Sequence, residues 1–125
     1  MKTCFLIDDD EDDRDIFELA LQQVGKNYKC VTSGSCQDAL QTLKNGDINP
    51  DYIFLDLNMP LVSGRECLRE IRKLSKFQHT PVVIYTTSSV QQDKEDVMQL
   101  GATSFITKPN KVSVLTNILK EVLNP

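Results

Sequence analysis

No apolar run in this 125-residue chain approaches the roughly 20 residues of a membrane-spanning helix, which argues against an integral membrane protein. The opening apolar stretch, Phe5-Leu6-Ile7, is too short for the core of a signal peptide and runs straight into acids, so a cytoplasmic location is expected. Cysteine is sparse and unpatterned. Cys4, Cys30, Cys36 and Cys67 form no C-x-x-C pair, and the single histidine, His79, stands at no zinc-like spacing from them. Reduced, mostly buried thiols are expected, with His79 in a surface loop before Pro81.

Basic stretches are missing too. The net charge is −4, and the acidity is concentrated: residues 8 to 18 hold eight of the 18 acids against Arg14 alone. Such a patch repels phosphate backbones, and no basic helix or aromatic–basic stripe offsets it, which argues against direct nucleic-acid binding. There is no linker, low-complexity segment or internal repeat. With 40% hydrophobic and 26% charged residues, the chain reads as one globular domain spanning 1–125, long enough to bury a core without disulfides or metals.

What is present is an alternation of short apolar runs and helical stripes. Phe5-Leu6-Ile7, Tyr28 to Thr32, Tyr52 to Leu55, Pro81 to Tyr85 and Ser104 to Thr107 read as strands. Between and after them lie helical patterns on Ile16, Phe17, Leu19, Ala20 and Val24; on Ala39, Leu40 and Leu43; on Cys67, Leu68, Ile71 and Leu74; from about Val90 to Leu100; and on Val112, Leu115, Ile118, Leu119 and Val122. Ser35 with Asp38 resembles a capping box, and Gly46 and Gly101 mark helix ends. Arg65, Arg69 and Arg72 fall between the apolar positions of the third helix and read as its solvated face. Strand–helix alternation implies an α/β fold, a parallel sheet with helices on both faces, but leaves the strand order open.

The strands end on chemistry. The first stops at Asp8 and Asp9, the third at Asp56, the fourth at Thr86 and the fifth at Lys108, and in a parallel sheet these ends share one edge. Asp56 taken alone could be a turn or capping residue, and Asp12 and Asp13 suit the positive end of a helix dipole. Taken together, the carboxylates would repel one another by roughly 4 kcal/mol per pair at about 4 Å and an effective dielectric near 20. One lysine does not offset that, and all-oxygen donors with room for water favour Mg²⁺. A carboxylate so neutralised can attack phosphorus, with a lysine and a hydroxyl on the phosphoryl oxygens. The alternative is a purely electrostatic cluster.

In this order and spacing, Leu6-Ile7-Asp8-Asp9, Asp56-Leu57-Asn58-Met59-Pro60 with Gly64, Thr86, and Lys108-Pro109 closely resemble the receiver domain of two-component response regulators. The resemblance runs over essentially the whole chain. It implies a flavodoxin-like, doubly wound five-stranded sheet of order 2-1-3-4-5. It also implies a signalling domain rather than an enzyme, in which Asp56 takes a phosphoryl group from a histidine kinase or histidine phosphotransfer protein. Asp8, Asp9, Asp56 and the Asn58 carbonyl would serve Mg²⁺, Asp8 through water. Thr86 and Phe105 would act as switch residues, Lys108 would meet the phosphoryl charge, and a cis Lys108–Pro109 bond would aim it. Because no output domain follows the last helix, a stand-alone regulator is expected. It would act on a downstream protein through the surface of the fourth helix, fifth strand and fifth helix.

Two other functions share parts of this pattern. An aspartyl-phosphate phosphohydrolase dependent on Mg²⁺ usually carries a second carboxylate two residues after the nucleophile, where this chain has Asn58. A flavodoxin-like mononucleotide binder needs an anion nest after the first strand, where this chain has acids.

Overall fold

The computed structural model describes residues 1–123. Five strands alternate with five helices: β1 (Lys2–Ile7), α1 (Glu11–Val24), β2 (Tyr28–Ser33), α2 (Cys36–Asn45), β3 (Tyr52–Leu55), α3 (Gly64–Lys73), β4 (Val82–Thr86), α4 (Gln91–Gln99), β5 (Ser104–Thr107) and α5 (Val112–Leu123). A single 3₁₀ turn, Ser75–Phe77, follows α3. All strand pairs are parallel and the order is β2-β1-β3-β4-β5. After β2 the chain crosses back past β1, so β1 and β3 become neighbours at the point where the winding reverses. That is where open α/β sheets leave a crevice at their carboxyl edge.

Alternation along the strands explains the two core layers. Phe5, Ile7, Ile53, Leu55 and Ile84 face one side, where Ala39 and Leu43 of α2, Leu68 and Ile71 of α3 and Val97 of α4 cover them. Cys4, Leu6, Phe54, Val83 and Tyr85 face the other, packed by Phe17, Ala20 and Leu21 of α1 and Leu115 and Leu119 of α5. Phe17 meets Phe54 edge-on with ring centroids 4.8 Å apart. Cys4, Cys36 and Cys67 are buried in these layers, Cys30 is half-buried, and all four are free thiols. His79 is exposed in the bend before β4.

Local capping follows the side chains. The Asp10 carboxylate accepts from the Asp13 amide at 3.2 Å, and Ser35 Oγ accepts from the Asp38 amide at 3.1 Å. Gly46 closes α2 in the left-handed region at φ 74°. Gly64 opens α3 where backbone meets backbone, its amide donating to the Leu57 carbonyl at 3.0 Å. A Cβ there would overlap the Asp56 carbonyl, so only glycine fits.

Two expectations are corrected. Every peptide bond among the described residues is trans, including Lys108–Pro109. The trans form of an X–Pro bond is favoured by about 0.5–1 kcal/mol, and Lys108 reaches the carboxylates without the cis form. Nor is Arg72 part of a solvated face. Its guanidinium donates to the carbonyls of Gly101 at 3.0 and 2.7 Å, Phe77 at 2.8 Å, Thr80 at 2.7 Å and Gln78 at 3.4 Å. Arg69 is exposed, as read from the helical pattern.

Candidate functional site at the carboxyl edge of the sheet

The register fixes which residues meet. Ile7 pairs with Leu55 and the Asp56 amide donates to the Ile7 carbonyl at 3.0 Å, so Asp8 and Asp56 leave adjacent strands side by side. Thr86 pairs with Thr107 and its carbonyl accepts from the Lys108 amide at 2.7 Å, which delivers Lys108 from the far side. Asp8 is fully buried, Asp56 is 5% exposed, Thr86 is fully buried and Asp9 is exposed at the rim.

Carboxylate oxygens of Asp8, Asp9 and Asp56 lie within 4.8 Å of one another. Asp8 Oδ1 accepts from the Asp10 amide at 3.0 Å and Oδ2 from Lys108 Nζ at 2.9 Å. Its carbonyl accepts from the Arg14 guanidinium at 2.8 Å. Asp56 Oδ1 accepts from the Asn58 amide at 3.2 Å, and the Asn58 side chain donates to Thr86 Oγ1 at 3.4 Å. Lys108 Nζ stands 3.6 Å from Asp56 Oδ2, an ion pair without a hydrogen bond. It also lies 5.1 Å from the centroid of the buried Tyr85 ring, whose face favours a cation.

Charge in this crevice is unevenly balanced. Burial raises the Asp8 pKa above its ordinary value; the Lys108 and Asp10 N–H bonds pull it down without cancelling the rise, and the Asp56 charge adds to it. Burial alone would lower the Lys108 pKa, but its bonds to Asp13 and Asp8 and the charge of Asp56 outweigh burial, so the ammonium is firmly protonated. Four carboxylates, Asp8, Asp9, Asp13 and Asp56, therefore crowd one lysine, and the oxygen-only set of Asp8, Asp9 and Asp56 fits a hard divalent ion.

Of the residues singled out in the sequence, Asp8, Asp9, Asp56, Asn58, Thr86 and Lys108 converge. Phe105 does not join them. It is half-buried on β5 opposite Ile84, against the layer that holds α2, α3 and α4. Sequence reasoning missed Asp13, whose carboxylate accepts from Lys108 Nζ at 2.7 Å. Its place in the first turn of a helix that rises directly from the acidic strand end was the available signal.

Residues 4–120 match the model of the response regulator receiver domain. The chain belongs to this family. Among curated relatives, it is 35% identical over 114 residues to the sensor histidine kinase CheAY of Helicobacter pylori, covering 91% of this chain but 14% of that protein. It is 26% identical over 122 residues to the polar-differentiation response regulator DivK of Brucella abortus, covering 98% of this chain and 96% of DivK. Among solved structures, the phosphorylated cyanobacterial phytochrome response regulator RcpA superposes with a TM-score of 0.87 at 31% identity, covering 97% of this chain and 90% of RcpA. The Mn²⁺-bound response regulator Rcp1 does so with a TM-score of 0.84 at 25% identity, covering 98% and 91%. As a receiver domain of a two-component system, the chain has its strand-end acids, hydroxyl and lysine gathered at one edge of the sheet. No helix among the described residues is long and apolar enough to cross a membrane.

Proposed function

We propose that Asp56 is the phosphoacceptor of this receiver domain, taking a phosphoryl group from a phosphohistidine on a sensor kinase or phosphotransfer protein. The observation that carries this reading is the placement of Asp56. It ends the strand beside β1, with Lys108 Nζ 3.6 Å away on one side and Asn58 linking it to the Thr86 hydroxyl on the other. A carboxylate oxygen would form the new O–P bond while the P–N bond breaks, and the departing imidazole nitrogen keeps the electron pair and takes a proton.

Asp8, Asp9 and Asp56, with the Asn58 carbonyl, would hold Mg²⁺, which when bound supplies positive charge to the carboxylates and to the transferred phosphoryl oxygens. Lys108 adds a fixed cation, and Thr86 offers a hydroxyl that can bond only to a phosphoryl oxygen that is present. The phosphorylated RcpA and Mn²⁺-bound Rcp1 relatives support both parts of this reading. The domain would signal by contact with a downstream protein through α4, β5 and α5. An aspartyl-phosphate hydrolase lacks support at position 58, where the Asn58 amide is spent on Thr86.

Incubation with acetyl phosphate and Mg²⁺ should raise the intact mass by one phosphoryl group. Asp56→Asn should abolish the gain; equal labelling of that variant would move the acceptor elsewhere.

A further inference from the structure

The fourth helix is docked unlike the others. Only Val97 of α4 is buried, and its N-cap, Val90, has no side chain able to cap. Packing therefore does little to fix its first turn, and polar contacts take that role. Ser88 is their hub. Its amide donates to Thr86 Oγ1 at 3.4 Å, its carbonyl accepts from Thr107 Oγ1 at 2.9 Å, and its Oγ accepts from the Val90 amide at 3.2 Å. The same Oγ donates to Asp93 Oδ2 at 2.6 Å, and Asp93 Oδ1 accepts from the Arg65 guanidinium on α3 at 2.5 Å. Arg65 also lies 3.7 Å from Asp96. The bonds from Ser88 and then Arg65 hold the Asp93 carboxyl below the usual carboxylate range, so it is ionised wherever the domain is folded near neutrality.

An unbroken chain thus runs from the hydroxyl beside Asp56, through Ser88 and Asp93, to the start of α3. We propose that Ser88, Asp93 and Arg65 form a latch that seats the first turn of α4 against α3 while Asp56 is unmodified, and that Asp93 is its positioning residue. The proposal rests on the phosphoacceptor reading. When the Thr86 side chain rotates to place its hydroxyl on a phosphoryl oxygen, Oγ1 moves out of reach of the Ser88 amide, whose bond to it is already long at 3.4 Å. Ser88 then shifts, and its Oγ leaves Asp93. The latch stabilises only the unmodified arrangement, so by linkage it weakens binding of any group that mimics the phosphoryl on Asp56.

Beryllofluoride, a non-covalent mimic of an aspartyl phosphoryl group, is titrated with Mg²⁺ into wild type, Asp93→Asn, Arg65→Gln and the double variant. Each single variant is expected to bind about two- to fivefold tighter, the range of a partly exposed ion pair, and the double variant no tighter than either single one. Lys73→Gln, which breaks the Glu70–Lys73 pair on α3, leaves affinity unchanged. Amide exchange along α4 should quicken on adding the mimic to wild type, and should already be quick in Asp93→Asn without it. Unchanged or weaker binding in both single variants, or additive effects in the double, overturns the latch. If wild type itself fails to bind the mimic, the phosphoacceptor reading falls and the latch with it; wild-type binding matched by both variants removes the latch alone.

Discussion

At the level of single residues, Asp8 carries a clear electrostatic cost. Its carboxyl is fully buried and its pKa is raised from the ordinary 3.8, with burial as the first cause and Lys108 as the main opposing one. Between that value and the raised one, the folded chain keeps a proton that the unfolded chain has released, so stability falls as pH climbs through the window. Above the window the loss is constant. Asp8→Asn has no such proton to lose. In EDTA, its melting temperature relative to wild type should therefore rise as the pH climbs above the ordinary aspartate value and then level off. A difference that shrinks with pH would mean that the Lys108 ion pair outweighs burial. Asp8 was legible in the sequence because an apolar run stops dead at it. Asp13 was not, since a first-turn acid has a sufficient local reason to be there and its 2.7 Å contact to Lys108 spans 95 positions.

Among the elements, strands and helices were readable from periodicity, and their alternation implied a parallel sheet. The strand order was not, because each apolar run is equally content beside any other; only the family resemblance supplied it. The same limit hid Arg72. A guanidinium that binds backbone carbonyls has partners with no side-chain signature, so a position between apolar ones looks like any solvated arginine. In the fold it ties α3 to the turn before β4 and to the end of α4, through Phe77, Thr80 and Gly101. Leaving several such carbonyls unpartnered costs about 1–3 kcal/mol each where water cannot replace the donor, so Arg72→Ala should lose about 3 kcal/mol in urea unfolding. Arg72→Lys should recover little of it, because one ammonium cannot span both sides of the fork. A loss below about 1 kcal/mol would show that water serves these carbonyls equally well.

For the whole molecule, the fold assembles like charges at one edge before any ligand arrives. Asp8 and Asp9 follow β1 and Asp56 follows β3, with oxygens within 4.8 Å, and the unfolded chain escapes the repulsion between Asp56 and that pair. Lys108 makes its short contacts to Asp8 and Asp13, and Asp9 at the rim has no such contact. Under the Mg²⁺ reading, the ion binds the folded state alone and stabilises it by RT ln(1 + [L]/Kd), about 1.4 kcal/mol at ten times Kd. For a domain of this size that is a rise of several degrees in the melting temperature. Asp9→Asn removes a charge and a ligand together. It should melt higher than wild type in EDTA and gain less from Mg²⁺, two effects of opposite sign that a merely hydrogen-bonded acidic turn would not produce. Thermal unfolding of both proteins across a Mg²⁺ titration at constant ionic strength separates the cases, and an Mg²⁺ response in Asp9→Asn equal to wild type would remove Asp9 from the metal site.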